Sequence, residues 1–192
     1  MVAEIFFDEP SFEALFGTFS GGASTSKSRR QGSPALKFLD EADATESCWE
    51  ALQPLLAESP LWDAHIRDTW QTPRFVDGNV MFTVPKNTTI DRVAAKEPDL
   101  NMFAQKGIGN LIRRRLRQRG INLNDQSINQ RLAQVGSSDN SLATLDLSSA
   151  SDSITTRLVW LLLPVDWFLL LDSIRSVRTE IDGEWHENHM FS

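Results

Sequence analysis

The sequence predicts an α+β fold that is rich in helices and contains a few short strands. Three observations indicate this class. Apolar residues recur at helical spacing through much of the chain. Two short apolar runs have the length and composition of strands. The last segment alternates around an Asp-Gly pair, the strongest short-range signal for a hairpin. Because helices and strands do not alternate regularly, a βαβ arrangement is not expected.

Composition points to a globular protein. The chain has 192 residues, of which 41% are hydrophobic, enough for one large domain or two small ones. Its single cysteine, Cys48, excludes a disulfide framework within the chain and fits a reducing cytoplasm. No signal peptide is expected, since the first residues lack a basic segment followed by an apolar one. The longest apolar run, residues 158–165, is too short to span a membrane.

Two contrasting segments come first in the chain. Residues 3–19 are acidic and aromatic, and they predict a short helix around residues 10–16. Residues 20–34 are small, polar and basic, which is typical of a loop. This loop is either a mobile surface segment or a template-contacting segment. In the second case, three cations make the contact: Lys27, Arg29 and Arg30.

Two helices that contain tryptophan follow. Residues 43–58 predict a helix that Thr45 caps and that Pro54 bends or ends. Residues 60–70 predict a second helix with proline in its first turn. Three tryptophans are most simply anchors of a core or of an interface: Trp49, Trp62 and Trp70.

The centre of the chain predicts one strand and two helices. Residues 79–84 predict a strand that Pro85 closes. A loop then leads to a long helix, which opens at residues 97–98 and ends at Gly120. A more polar helix is expected over residues 122–133.

The last part of the chain mixes both kinds of element. Residues 142–147 predict a short apolar strand. A helix is expected over residues 151–163, where Pro164 breaks it, and another over residues 166–173. The closing hairpin turns at residues 182–183.

Charge is unevenly distributed along the chain. The formal net charge is −7, yet residues 86–131 carry ten Lys and Arg against four acids, a net +6, which leaves −13 for the rest. Such segregation indicates a localised site for anions. The alternative is that these side chains form a solvated helix face.

One carboxylate stands out at the end of a predicted strand. Asp146 is followed by several serines and, six positions later, by Asp152. Hard oxygen ligands of this kind suit Mg²⁺ bound together with nucleotide phosphates. The alternative is that Asp146 only caps the following turn.

Two cations flank the polar loop after the strand at residues 79–84. Lys86 offers a point charge and Arg92 a forked set of donors, both suited to phosphate. A carboxylate at a strand end and a basic loop are the minimal set for a nucleotidyl transferase. The alternative is that Asp91 and Arg92 are simply surface charges.

A long ordered stretch resembles the replicase β subunit of the single-stranded RNA bacteriophages, the leviviruses. The similarity runs over about residues 83–172 and includes VPKNTTIDRVAAKEP, GIGNLIRRRLRQRGINLNDQSINQRLAQ and SLATLDLSSASDS. The loop GGASTSKSRRQGSPALKF also resembles the family's N-terminal region. The resemblance implies an RNA-directed RNA polymerase with a right-hand fold. This chain would be an N-terminal fragment that contains the fingers and the beginning of the palm.

The resemblance also implies roles for individual residues. Asp146 stands at the position of the motif A carboxylate, which binds the catalytic pair of Mg²⁺ ions. Lys86 and Arg92 match the fingers motif that lies over the triphosphate of the incoming nucleotide. Asp152 stands near the ribose-reading aspartate of many polymerases, although its spacing differs and it is also suited to capping a helix. The Gly-Asp-Asp turn of the family does not occur in this sequence.

The implied organisation has three regions. Residues 1–78 form an N-terminal and fingers region, residues 79–140 carry the basic nucleotide-binding motif, and residues 141–192 begin the palm. The implied partners are the RNA template, nucleoside triphosphates, host elongation factors Tu and Ts, and a ribosomal protein, all in the cytoplasm of a bacterial host. Two other functions stay open at this point: a non-catalytic product that binds RNA or a host protein, and a metal-dependent nuclease.

Overall fold

The computed structural model describes residues 2–10, 17–145 and 150–191. Its helices are α1 (Val2–Ile5), α2 (Pro34–Leu39), α3 (Glu46–Glu58), α4 (Pro60–Thr69), α5 (Asp99–Gln118), α6 (Ser127–Asp139), α7 (Thr156–Leu162) and α8 (Val165–Ile174). Its strands are β1 (Asp43–Ala44), β2 (Arg74–Phe75), β3 (Asn79–Pro85), β4 (Asp91–Lys96), β5 (Arg178–Ile181) and β6 (Glu184–Glu187). This mixture confirms the predicted α+β class.

The main core lies where α3, α4, α5 and α8 pack together. An aromatic cluster occupies one side of it. The ring centroid of Trp62 lies 4.8 Å from that of Phe38 and 5.6 Å from that of Phe103. Phe19 joins the same cluster, 5.2 Å from Phe103. These four rings come from distant parts of the sequence, so the aromatic cluster holds the first part of the chain against α5.

A four-stranded sheet has the strand order β4-β3-β5-β6. The β3 and β4 strands are antiparallel, whereas β3 and β5 are parallel. The β5 and β6 strands form the predicted hairpin, which turns at Asp182 and Gly183 with φ values of 53° and 87°. Positive φ at both turn positions is the geometry that Asp-Gly favours, so this prediction is confirmed. A separate two-stranded sheet pairs β1 with β2 in parallel.

Several local predictions are confirmed. The long helix α5 starts directly after Pro98, and Gly120 follows its end with a φ of 83°. Pro60 begins α4, where the missing N–H costs nothing. Helix α3 continues through Pro54 to Glu58, so this proline does not end the helix. Trp49 and Trp62 are buried, as is the Cys48 thiol, whose pKa is raised because burial disfavours the thiolate.

Several element boundaries differ from the prediction. The helix predicted over residues 151–163 forms only over Thr156–Leu162, after a short 3-10 helix at Ser151–Ser153. Residues 91–96 form strand β4 rather than a loop. Helix α6 begins at Ser127 rather than near residue 122, because asparagine and aspartate side chains in residues 122–125 bond to backbone N–H groups and form turns first. Residues 141–145 have no regular secondary structure, and the remainder of that predicted strand lies outside the described residues, as do residues 11–16 of the predicted first helix.

Among the helices in the described parts of the chain, none combines the length and the apolar character that a membrane span requires.

Candidate functional site

The β3–β4 hairpin carries both cations that the sequence singled out. Its turn spans residues 86–90, where the Lys86 N–H donates to the Ile90 carbonyl at 3.0 Å. The Asn87 side-chain oxygen accepts from the backbone N–H groups of Thr89 and Ile90, at 2.9 and 2.8 Å. This side-chain turn takes the place of a glycine turn, and it brings residues 91–96 back alongside β3.

The strand register places basic side chains together on the hairpin. Arg92 lies opposite Val84, and Lys96 lies opposite Val80. Since residues two apart on a strand share a face, Arg92 and Lys96 are on the same face. The Lys96 ammonium lies 5.5 Å from the Phe82 ring centroid on that face. Lys86 follows at the start of the turn, so the hairpin presents three cations over one short surface.

The predicted pair on this hairpin is open to solvent. Lys86 and Arg92 are both exposed. No carboxylate among the residues that the structure describes lies within ion-pair distance of either one. A cation without a protein counter-charge is available to an anionic ligand. Among the described residues, the hairpin thus offers two exposed cations that are not engaged in an internal salt bridge.

A hydrogen-bond network fixes the base of the hairpin. The Glu97 carboxylate, one residue after β4, accepts from the Asn79 amide at 2.6 Å and from the Ser176 hydroxyl at 2.7 Å. Gln105 on α5 donates to the same carboxylate at 3.3 Å. The Asn79 oxygen in turn accepts from Thr179 on β5 at 2.6 Å. The hairpin thus projects from an anchored base, which limits the positions that its cations can occupy.

The basic loop at residues 20–34 packs against the start of α5. The Thr25 N–H donates to the Glu97 carbonyl at 3.1 Å, and the Ser26 hydroxyl donates to the Asp99 carboxylate at 2.5 Å. Within the loop, Gly32 lies so close to the Gly22 carbonyl that a Cβ does not fit there. The loop therefore has a defined conformation and meets the base of the hairpin.

The three cations of this loop differ in their surroundings. The Lys27 side chain is only 11% exposed, and its ammonium lies 3.6 Å from the Asp40 carboxylate. It also donates to the Glu41 carbonyl at 3.4 Å. Arg29 and Arg30 are exposed at the loop surface. Of the three, the two arginines are thus the better placed to meet a ligand.

A buried polar cluster beneath the loop was not anticipated from the sequence. The Asp43 carboxylate accepts two hydrogen bonds from the Arg74 guanidinium, both 2.8 Å long, and a third from Thr25. The hydrogen bonds to Asp43 raise the pKa of Arg74 above its ordinary value, because they stabilise the charged guanidinium. The Lys37 ammonium is buried nearby, and desolvation lowers its pKa, partly offset by the charge of Asp99. No local pattern reveals this cluster, because its members lie far apart in the sequence.

The structure describes only one of the two predicted aspartates. Asp146 lies outside the described residues, so its distance from Lys86 and Arg92 stays a prediction. Asp152 lies in a short 3-10 helix, Ser151–Ser153, and is exposed. Within the described ranges, no three histidine, cysteine, aspartate or glutamate side chains converge in a way that could hold a metal ion.

Comparison with known proteins shows a consistent pattern. The family model for "RNA replicase, beta-chain" matches residues 1–192. The chain is 50% identical over 184 residues to the RNA-directed RNA polymerase beta chain of Escherichia phage MS2, covering 93% of this chain and 34% of that protein. It is 49% identical to the beta chain of Enterobacteria phage fr, covering 91% and 32%. It is 45% identical to the subunit beta of Escherichia virus Qbeta, covering 95% and 30%. The chain thus spans about a third of the length of these relatives.

Proposed function

Because the chain belongs to the RNA replicase beta-chain family, we propose that it forms part of an RNA-directed RNA polymerase that replicates viral RNA. The family match over the whole chain carries this proposal. The reaction would be nucleotidyl transfer: an RNA 3′-hydroxyl attacks the α-phosphate of a nucleoside triphosphate, a new phosphodiester bond forms, and pyrophosphate leaves. The basic hairpin supports the proposal because phosphoryl transfer requires cations near the phosphates.

In this proposal, the hairpin binds the triphosphate of the incoming nucleotide. Arg92 presents a planar fork that matches two phosphate oxygens, and Lys86 adds a mobile point charge at the turn. Both are exposed and lie on a hairpin whose base is anchored by Glu97. These two side chains orient the phosphates and offset the negative charge that grows on the leaving pyrophosphate.

The metal part of the proposal rests on the resemblance. Asp146 is the carboxylate that we propose to bind Mg²⁺, with Asp152 near the nucleotide. The described residues alone do not form a metal site, so the two-ion arrangement would need Asp146 and further carboxylates. When bound, Mg²⁺ would neutralise charge on the reacting phosphates.

The regional assignment is part of the same proposal. We assign residues 1–78 and 79–140 to the fingers and residues 141–192 to the beginning of the palm. Strand β3 pairs with β5, and helix α3 packs on α8, so the assigned regions contact one another directly. The boundaries between them therefore mark proposed polymerase subdomains, and they do not separate independent hydrophobic cores.

The partners of the whole protein are likewise proposed. The phage origin of the relatives supports a role in the cytoplasm of a bacterial host, with an RNA template and nucleoside triphosphates as ligands. Host elongation factors Tu and Ts and a ribosomal protein are further partners that the resemblance suggests.

Removing the two hairpin cations tests the nucleotide site. In the double variant Lys86→Gln and Arg92→Gln, we expect the affinity for a fluorescent nucleoside triphosphate to fall by about tenfold or more, because charge-assisted hydrogen bonds are lost. The measurement is a fluorescence titration. The control is Arg67→Gln with Arg157→Gln, which removes the same charge from exposed positions elsewhere. Equal losses in both double variants would contradict the assignment.

The isolated chain is expected to be inactive in synthesis. This polypeptide contains Asp146 but no Gly-Asp-Asp turn, and one carboxylate does not hold a two-metal site at full affinity. A primer-extension assay with labelled nucleotide should show no incorporation above a protein-free blank. Clear, template-dependent extension by the 192-residue chain would refute this expectation.

A further inference from the structure

The arginines near the end of α5 separate into two sets. In the first set, Arg115 donates to the Ile5 carbonyl at 2.5 Å, and it lies 2.8 Å from the Asp8 carboxylate and 5.1 Å from the Trp167 ring. Arg119 lies 3.5 Å from the Glu4 carboxylate. These two arginines hold the first residues of the chain against α5 and α8. Their role is structural.

The second set has no such role. Arg113, Arg114 and Arg117 are all exposed. Arg113 donates to the Asn124 side chain at 3.2 Å, and this partner is neutral. Within the described part of the chain, no carboxylate lies within ion-pair distance of any of the three. Helical spacing puts Arg117 one turn beyond Arg113 and Arg114, so they share one surface, which we call the arginine face.

Helix α5 carries more arginines near its end than are needed to complement the helix dipole. One or two cations in the last turn are enough to complement the helix dipole, and Arg115 and Arg117 lie there. Arg113, Arg114 and Arg117 also lie within about one turn of one another, and their guanidinium groups repel in the absence of a counter-charge. Such a cluster is therefore best explained by an anionic ligand that spans all three groups.

The chemistry of the arginine face favours RNA. Guanidinium groups bind phosphate oxygens through two parallel hydrogen bonds. Two of the positions one turn away carry exposed amides, Asn110 and Gln118, which can bond to phosphate and ribose oxygens. These two amides are polar, unlike the residues that the centre of a protein interface buries. A sugar-phosphate backbone fits these features better than an acidic protein does.

The arginine face is also separate from the nucleotide site. Helix α5 begins three residues after Lys96, and Arg114 lies about 22 Å further along the helix axis. We propose that Arg113, Arg114 and Arg117 form a second RNA-binding surface, which contacts the phosphate backbone of single-stranded RNA away from the nucleotide site. The proposal rests on the polymerase function proposed above.

Binding of labelled RNA to the whole chain tests this surface. The probe is a fluorescein-labelled oligouridylate of about 20 nucleotides, followed by anisotropy over a range of salt concentrations. For Arg113→Gln, Arg114→Gln and Arg117→Gln combined, we expect an affinity loss of about tenfold or more at low salt. The slope of log affinity against log salt should become shallower by about 2, since three phosphate contacts are lost.

A control variant tests whether the loss of RNA affinity depends on the arginine face or only on the net charge of the chain. Arg67→Gln, Arg157→Gln and Arg178→Gln together remove three exposed charges from three other elements, and they should change RNA affinity by less than about threefold. Circular dichroism checks that both triple variants are folded. Equal losses in the two triple variants, no loss in the first, or no RNA binding by the unmodified chain would each overturn the proposal.

Two further measurements identify the class of ligand and show which of the two proposals fails, the nucleotide site or the arginine face. Polyglutamate of similar length should compete poorly with RNA, and equal competition would overturn RNA in favour of an acidic protein. Nucleoside triphosphate binding should be unchanged in the variant of the arginine face and weaker by about tenfold or more in the Lys86 and Arg92 variant. Loss of RNA binding with retained triphosphate binding supports the second surface, whereas failure of the triphosphate assay alone counts against the hairpin assignment.

Discussion

Replacing Trp62 by alanine is expected to lower the free energy of unfolding by about 3–5 kcal/mol. Trp62 is 6% exposed and makes edge contacts with Phe38 and Phe103, at 4.8 and 5.6 Å between ring centroids. Its removal opens a cavity that surrounding aromatic rings fill only in part, so packing is lost in addition to the transfer free energy of the indole. The variant should thus loosen the first part of the chain from α5.

The measurement is urea denaturation followed by far-ultraviolet circular dichroism, which does not depend on the deleted indole. Leu61→Ala is the matched control, because Leu61 precedes Trp62 on the same helix and is 71% exposed. We expect this control to change stability by less than about 1 kcal/mol. Similar losses in both variants would show that the aromatic cluster does not hold the core together.

Replacing Asn101 by alanine is expected to cost about 2–4 kcal/mol, a large effect for a polar residue. The Asn101 side chain is fully buried, and its oxygen accepts from the Thr45 N–H at 2.9 Å. Its amide nitrogen donates to the Thr45 hydroxyl at 2.8 Å and to the Ile174 carbonyl at 3.1 Å. The variant leaves the buried Thr45 N–H without its acceptor, whereas the Ile174 carbonyl keeps a hydrogen bond from the Gln105 amide at 3.0 Å. An unsatisfied buried N–H costs more than the bond itself contributes.

The same helix offers a control for Asn101. Asn110 is exposed on α5, and Asn110→Ala should be neutral within about 0.5 kcal/mol. Thermal and urea denaturation of both variants measure the difference. A stability loss below about 1 kcal/mol for Asn101→Ala would mean that water or another side chain replaces the missing amide.

The sequence was most informative where the determining interactions are local. The Asp-Gly hairpin, the start of α4 at Pro60 and the end of α5 before Gly120 each follow from the conformational preferences of adjacent residues. Strand β4 was missed because its turn depends on the Asn87 side chain, which bonds to two backbone N–H groups without any glycine.

The candidate site shows the same division. Lys86 and Arg92 could be selected from the loop predicted after residues 79–84 and from the family resemblance. Their arrangement on one anchored hairpin required β4 and the contacts of Glu97 with residues on β3, α5 and the segment before β5. Hydrogen bonds between groups so far apart in sequence leave no periodic signal, so no local pattern predicts them.

What the sequence determined by itself is the α+β class, the family and the identity of the basic residues, because composition, short-range backbone preference and residue order are all properties of the linear chain. Only the tertiary structure decided how the arginines at the end of α5 divide. Arg115 and Arg119 are neutralised by acids about 100 residues earlier, whereas Arg113, Arg114 and Arg117 remain exposed. Charge compensation depends on distance in space, and that distance is set by the packing of the whole chain.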